Sequence, residues 1–225
     1  RYDPSKFNYL GSQAPAMIAV YLWHKAPATT LKEMQTTELI FGTQAKTSTG
    51  ALAANAINAF ANTKLKLVLG YQGTSDYLKA IESGEIHVAL GDWDSIVSVR
   101  PQWVKEKKVI PIVQHTLDKH PDLPDVPRLI DLAKTDEQRQ IAEFDALPAA
   151  MGHTNVFPPG VQAARVAALR KAIAATYRDP AFIKKSASLQ MDVKPVSGED
   201  VEKYVNKIMS YSPEMIAKIQ KVYGF

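Results

Sequence analysis

Short apolar runs separated by Gly-rich polar loops organise the first half of the chain. Ala16 to Trp23 (AMIAVYLW) reads as a buried strand, and Glu38 to Phe41, Leu65 to Leu69, Ile86 to Leu90 and Val109 to Val113 read the same way. Between them the apolar positions fall at helical spacing. Leu52, Ala53, Ala56, Ile57 and Phe60 share one face of a helix whose N-cap is Ser48 or Thr49, and a second helix is expected over Asp76 to Ser83, stopping at Gly84. Thr30-Leu31-Lys32-Glu33 matches a capping box, which predicts a short helix there. Pro101 interrupts Val97 to Lys107, so any helix in that stretch is broken or starts anew.

Beyond His120-Pro121-Asp122-Leu123-Pro124-Asp125-Val126-Pro127, a Pro-punctuated loop, the pattern changes. Ala146 to Phe157 is apolar and small and is expected to contain a strand. The remainder is helical. Val166, Leu169, Ile173 and Tyr177 share a face; Asp179-Pro180 opens a helix with Pro at the favoured first position; Ser197 caps a helix lined by Val201, Tyr204, Val205 and Ile208; and Ser212-Pro213-Glu214 caps the last, with Ile216, Ile219 and Tyr223 inward. Strand-helix alternation followed by a helical tail predicts an α/β fold with a largely parallel sheet, in two lobes.

Composition narrows the function classes. The 225 residues are 46% hydrophobic, enough for a sizeable core. The net charge of +4 is small and its Lys and Arg residues are dispersed, with one dense knot at Lys105, Lys107 and Lys108, so nucleic acid is not expected as a partner. The absence of cysteine excludes disulfides, a thiolate nucleophile and thiolate metal sites. No apolar run reaches the length of a bilayer span. No signal peptide opens the chain, yet Arg1-Tyr2-Asp3-Pro4 reads like the interior of a protein, and a cleaved leader or missing N-terminal segment is expected.

The candidate chemistry lies at three strand-to-helix junctions: Gly42 to Gly50 with Thr43, Thr47, Ser48 and Thr49; Gly70 to Ser75 with Tyr71, Gly73 and Thr74; and Gly91 to Ser95 with Asp92, Trp93 and Asp94. In open α/β sheets ligands sit outside the carboxyl ends of the strands. The first N–H groups of a helix lack intrahelical partners and carry partial positive charge, so they suit an anion. Hydroxyls add hydrogen bonds without charge, and Tyr71 and Trp93 offer apolar walls. A small carboxylate fits these parts. The structural alternative is that each Ser or Thr merely caps its helix. Asp92 and Asp94 read as caps or as a ligand hydrogen-bond acceptor more than as an acid–base pair. No two of His24, His87, His115, His120 and His153 have metal-site spacing. The dinucleotide and Walker glycine patterns are absent, as is a Gly-x-Ser-x-Gly elbow, so no cofactor, metal or enzyme activity is predicted. The rival readings are an enzyme acting on a small acid through Asp92 and His153, and a ligand sensor subunit.

The string Lys66 to Ser95 (KLVLGYQGTSDYLKAIESGEIHVALGDWDS) resembles the substrate-binding proteins of tripartite tricarboxylate transporters, the Bug family. Asp122-Leu123-Pro124-Asp125-Val126-Pro127, Phe157-Pro158-Pro159-Gly160-Val161, Asp179-Pro180-Ala181-Phe182, Val193-Lys194-Pro195-Val196 with Ser197-Gly198-Glu199-Asp200, and the opening Tyr2-Asp3-Pro4 to Lys32-Glu33 are similar to that family in the same order. The resemblance implies a two-lobed, Venus-flytrap periplasmic binding protein that holds a small organic carboxylate between its lobes and delivers it to membrane permease subunits. It implies a monomer in the periplasm. By position it assigns Gly42, Thr43, Thr47, Ser48 and Thr49 to the family's Gly/Ser/Thr-rich binding loop, Tyr71, Gly73 and Thr74 to its Tyr-x-Gly loop, and Asp92 to the residue after the second strand. Residues 24–146 then form a complete lobe, and 1–23 with 147–225 a partial one that lacks the family's first strand and acidic Gly-rich loop. Gln44-Ala45-Lys46 departs from the Gly-x-Gly-Thr expected there, and Gly70, Gln72 and Trp93 are unusual at their positions, so the ligand need not be a tricarboxylate.

Overall fold

In the computed structural model, residues 3–189 and 191–224 are described, and the chain divides into two units. Unit 1 comprises Arg1–Ala16 and Ala146–Ser212; unit 2 comprises Met17–Asp145 and Pro213–Phe225.

In chain order the elements are β1 (Asn8–Ser12), β2 (Ile18–Trp23), β3 (Glu38–Thr43), α1 (Thr49–Ala61), β4 (Lys64–Leu69), α2 (Thr74–Ser83), β5 (Val88–Asp92), α3 (Trp93–Val99), α4 (Pro101–Lys105), β6 (Val109–Gln114), α5 (Asp136–Met151), β7 (Asn155–Phe157), α6 (Ala163–Thr176), α7 (Pro180–Ser188), β8 (Val196–Ser197), α8 (Gly198–Met209) and α9 (Pro213–Tyr223).

Unit 2 is built on a five-stranded sheet in the order β4-β3-β5-β2-β6. The strands β4, β3 and β5 pair in parallel, while β2 runs antiparallel to both β5 and β6. Strand β2 is buried on both faces, which is why it reads as a continuous apolar run, whereas the edge strand β4 is largely exposed. Tyr21, Trp23, Ile81, Ile86, Trp93 and Trp103 pack on one side. The helix α1 buries Ala51, Ala53, Ala54, Ala56, Ile57 and Phe60. Small residues let it lie close to the strands. Unit 1 holds a three-stranded antiparallel sheet, β7-β1-β8, on which α6 and α8 pack.

The strand and helix expectations hold for β2 to β6, α1, α2 and α6 to α9, and Pro101 does divide α3 from α4. The capping box is present: Thr30 N donates to Glu33 Oε2 at 3.1 Å and Glu33 N to Thr30 Oγ1 at 3.3 Å, but it opens only a short 3-10 turn over Glu33–Gln35. The strand expected within Ala146 to Phe157 is present at Asn155–Phe157, after residues 146–151, which end helix α5 and continue it through Pro148. Two expectations change. The unit 2 sheet is mixed rather than largely parallel, because β2 pairs antiparallel on both of its sides. The expected boundaries at 24 and 146 also shift. Strand β2 lies between β5 and β6 in the unit 2 sheet, and α9 packs on α1, where Asn55 Nδ2 donates to the Tyr223 carbonyl at 2.7 Å.

Candidate functional site

The three predicted junctions leave the same edge of the unit 2 sheet. Thr43 pairs with Leu69, so β3 and β4 end level, and β5 ends beside them. The first two loops are stitched together: Gly70 N donates to the Gln44 carbonyl at 3.1 Å, and Gln44 Nε2 to the Gln72 carbonyl at 3.4 Å.

In the first loop several residues work inward. Thr43 is fully buried, and its hydroxyl lies 2.6 Å from that of Ser48, which itself donates to the Ala45 carbonyl at 2.7 Å. Gly42 leaves room for packing: a Cβ there would come within 2.8 Å of Ile86 and 3.0 Å of the Tyr71 ring. A Cβ on Gly50 would sit 2.8 Å from Thr43 Oγ1, so Gly50 lets α1 start against β3. Ser48 occupies the N-cap position of α1 but makes no side-chain cap bond. Its hydroxyl is turned back into the loop, and the first-turn amides of a 13-residue helix carry no side-chain acceptor. Around that start Lys46, Thr47 and Thr49 are exposed.

The second loop repeats the motif with different parts. Gly70 has φ +109 in open surroundings, so the left-handed backbone conformation rather than crowding calls for glycine. Tyr71 Oη donates to Glu85 Oε1 at 2.5 Å, and burial together with that carboxylate pushes the phenol up to about 12, so it stays protonated. The Asp76 carboxylate accepts from Gln72 N at 2.9 Å. Gly73 is the N-cap of α2 and supplies no side chain, which leaves a second helix start uncapped. Thr74 is the first residue of α2; its side chain lies outside the described residues.

At the third junction all three side chains are engaged by the protein. Asp92 Oδ1 accepts from Ser95 N at 2.9 Å, capping α3, and Oδ2 accepts from Met17 N at 3.1 Å. Trp93 is 3% exposed and packs in the core. Asp94 does not cap the helix; its Oδ1 lies 2.9 Å from His120 Nε2. Since His120 Nδ1 accepts from Asp122 N at 3.0 Å, the proton of the neutral ring sits on Nε2 and is donated to Asp94.

Sequence reasoning missed a polar group at the end of β6. Gln114, 1% exposed, accepts from His120 N at 2.7 Å and donates to the carbonyls of Leu123 and Val126, which pins the Pro-punctuated loop. His115 Nδ1 lies 2.5 Å from Asp145 Oδ2, and Tyr223 Oη donates to Asp145 Oδ1 at 3.0 Å. The position of His115 directly after an apolar strand was the available signal. Among the described residues no group of three or more His, Cys, Asp or Glu side chains is placed to hold a metal ion.

No family model and no curated protein matches the sequence. Solved structures do. Rpa4515 of R. palustris with adipate superposes with a TM-score of 0.66 at 17% identity, over 99% of this chain and 71% of its own. A TctC solute-binding protein from Polaromonas, with no ligand, gives 0.66 at 14% identity over 97% and 72%. The periplasmic binding protein BugD gives 0.63 at 17% identity over 99% and 71%. The chain has the fold of the Bug and TctC solute-binding proteins. The Bug-type α/β architecture expected from the motif order is therefore present, while the low identity leaves the side chains at the sheet edge to be read on their own terms.

Proposed function

We propose that this chain is a Bug-type solute-binding protein that captures a small organic carboxylate at the carboxyl edge of the unit 2 sheet and delivers it to the permease subunits of a tripartite tricarboxylate-type transporter. The observation that carries this reading is the fold likeness to Rpa4515, solved with adipate, along 99% of the chain. The site chemistry is consistent with it. Two adjacent helix starts open at one edge without side-chain caps; that of α1, equivalent to about half a positive charge, has no acid in its first turn, while that of α2 is partly offset by Asp76. A carboxylate would take the amides of α1 together with the hydroxyls of Thr47 and Thr49, and the amides that follow Gly73, including that of Thr74. In this assignment Gly42, Thr43, Ser48, Tyr71, Asp92 and Trp93 shape the edge from behind. Asp92 already uses both oxygens on backbone amides, so the reading is a binder and not an acid–base enzyme. It needs no cofactor, and it places the protein in the periplasm as a monomer.

Isothermal titration with a panel of small dicarboxylates that includes adipate tests the proposal. Saturable one-to-one binding of at least one acid is expected, and silence across the panel from a folded protein overturns it. Thr47→Ala and Thr49→Ala should each weaken binding about tenfold, because a hydrogen bond to a charged group is worth about 1.5 kcal/mol or more. Unchanged affinity in both removes α1 from the site.

A further inference from the structure

Strand β4 forms one edge of the unit 2 sheet, and its two halves are finished differently. Leu65 N donates to Asn58 Oδ1 at 2.9 Å, and Asn58 Nδ2 donates to the Leu65 carbonyl at 2.9 Å. Thr63 Oγ1 donates to the same Asn58 oxygen at 2.7 Å, which fixes the amide in that orientation. One side chain of α1 therefore takes the place that a neighbouring strand would fill. The clamp also reveals the phase of the strand. Leu65 turns its N–H and C=O away from β3, whereas Gly70 N donates to the Gln44 carbonyl at 3.1 Å, toward β3. In a parallel pair alternate residues face the partner, so Lys64, Lys66 and Val68 bond to β3 while Leu67 and Leu69 point outward with Leu65. Among the described residues, no side chain clamps Leu67 or Leu69 as Asn58 clamps Leu65. Charge follows the same division. Edge strands are normally kept from pairing by lysines, prolines or bulges. In the first half Lys64 and Lys66 are exposed; Lys64 Nζ donates to the Thr36 carbonyl at 3.5 Å, and Lys66 Nζ lies 3.5 Å from Glu38. The second half has none of these devices. Val68 is 37% and Leu69 43% exposed, and the pairing with β3 keeps its register to Leu69.

We propose that the outward edge from Leu67 to Leu69 is a docking site for an extended, acid-bearing segment of a partner protein, which joins the five-stranded sheet as a further strand. Open N–H and C=O groups in strand geometry select an extended backbone over a helix or a small molecule. Side chains alternate between faces, so an antiparallel segment sets one residue against Val68 on one face and two against Leu67 and Leu69 on the other. Aromatic or β-branched residues suit all three places. Lys64 and Lys66 continue the Val68 face with Glu38 as the one acid paired there, so the next residue of the segment on that face is an acid. A second copy of this chain fits less well. Two β4 strands paired antiparallel about Val68 would bring Gly70 of one against Lys66 of the other and supply no acid. The stretch from Leu67 to Leu69 is also short against the roughly 1,200 Å² that a stable dimer buries. Docking at this edge does not depend on which solute is bound, so it can fail while the proposed function stands, and the reverse.

The probe is a short capped peptide, acetyl-Thr-Val-Tyr-Val-Glu-amide, which in antiparallel register sets its Tyr against Val68 and its Glu against Lys66. Added at millimolar concentration to the isotope-labelled full-length chain, it should slow amide hydrogen exchange at Leu67 and Leu69 saturably, as read by NMR. Lys66 and Val68, already bonded to β3, should be unaffected. The same peptide N-methylated at both valines cannot donate to the Leu67 and Leu69 carbonyls and should have no effect. Leu69→Pro removes one outward N–H without touching the β3 ladder and should weaken peptide binding about fivefold. Lys66→Glu reverses the charge at an exposed position and should weaken it about threefold. Unslowed exchange at both leucines with the parent peptide, or equal slowing by the N-methylated one, overturns the proposal. Slowing that grows with protein concentration in the absence of peptide gives the edge to a second copy and overturns the assignment to a partner.

Discussion

Two sets of helix starts in this molecule differ in how their free amides are met. In unit 1, Asp179 accepts from Ala181 N at 2.8 Å and Phe182 N at 3.0 Å, and Ser197 accepts from Asp200 N at 3.1 Å, so α7 and α8 begin sealed. In unit 2, α1 and α2 begin open: Ser48 stands at the cap position with its hydroxyl turned away, and Gly73 has no side chain to turn. The open starts sit on the denser base. Helix α1 buries six residues, from Ala51 to Phe60, whereas α7 buries Ser186 and α8 buries Gly198, Val201 and Val205. A serine before a helix therefore does not by itself mean a cap, and amides left open on a well-packed sheet are the arrangement a preorganised anion site requires.

The largest test of that contrast is in the cores. Phe41 is fully buried in β3, directly beneath the open starts. Phe41→Ala should lower stability by about 3–5 kcal/mol in urea denaturation. Leu169, on the α6 face read as inward from the sequence, is 39% exposed, and Leu169→Ala should change stability by no more than about 0.5 kcal/mol. Equal losses would erase the difference in packing on which the comparison rests.

Much of this was legible in the chain. Strand β2 announces itself because a strand buried on both faces demands an uninterrupted apolar run, and Asp179-Pro180 and Ser197 announce helix starts because those residues satisfy orphan amides locally. The junctions were found for the same reason, but what each side chain does there was not. Whether Ser48 caps α1 or bonds Thr43 depends on how closely α1 approaches β3, which Gly50 decides through space. Asp92 and Trp93 look like ligand residues in sequence because nothing local reveals that Met17, 75 residues away, supplies the second amide to Asp92. The strand within 146–157 was foreseen but not the helix before it: Pro148 argues locally against a helix, and α5 persists around it to Met151. His115, Asp145 and Tyr223 meet only through the fold.

A smaller effect is expected at the sealed starts. Asp179→Ala withdraws the acceptor from two amides of α7 and should cost about 1 kcal/mol. Ser197→Ala should cost a similar amount at α8. Both substitutions should leave the calorimetric affinity for a carboxylate unchanged. Lost affinity with intact stability would mean that sealed starts also serve the ligand, and the division between the two sets would collapse.

The smallest change in stability carries the sharpest information. Thr49 is the exposed first residue of α1, and the first turn of that helix contains no acid. An aspartate there faces the positive end of the helix, so Thr49→Asp should stabilise the fold by about 0.3–1 kcal/mol. The same carboxylate would occupy the charge that a bound acid needs, so affinity should fall as stability rises. Ala163→Asp is the control: Ala163 is the exposed first residue of α6, which also lacks a side-chain cap and an acid in its first turn, but lies in unit 1. It should bring a similar gain in stability and leave binding untouched. Opposite movement of stability and affinity at Thr49, with stability alone moving at Ala163, is the signature of a helix start kept open for an anion. If Thr49→Asp stabilises the chain and binding is unaffected, the open start of α1 is a structural loose end, and the ligand must be held elsewhere.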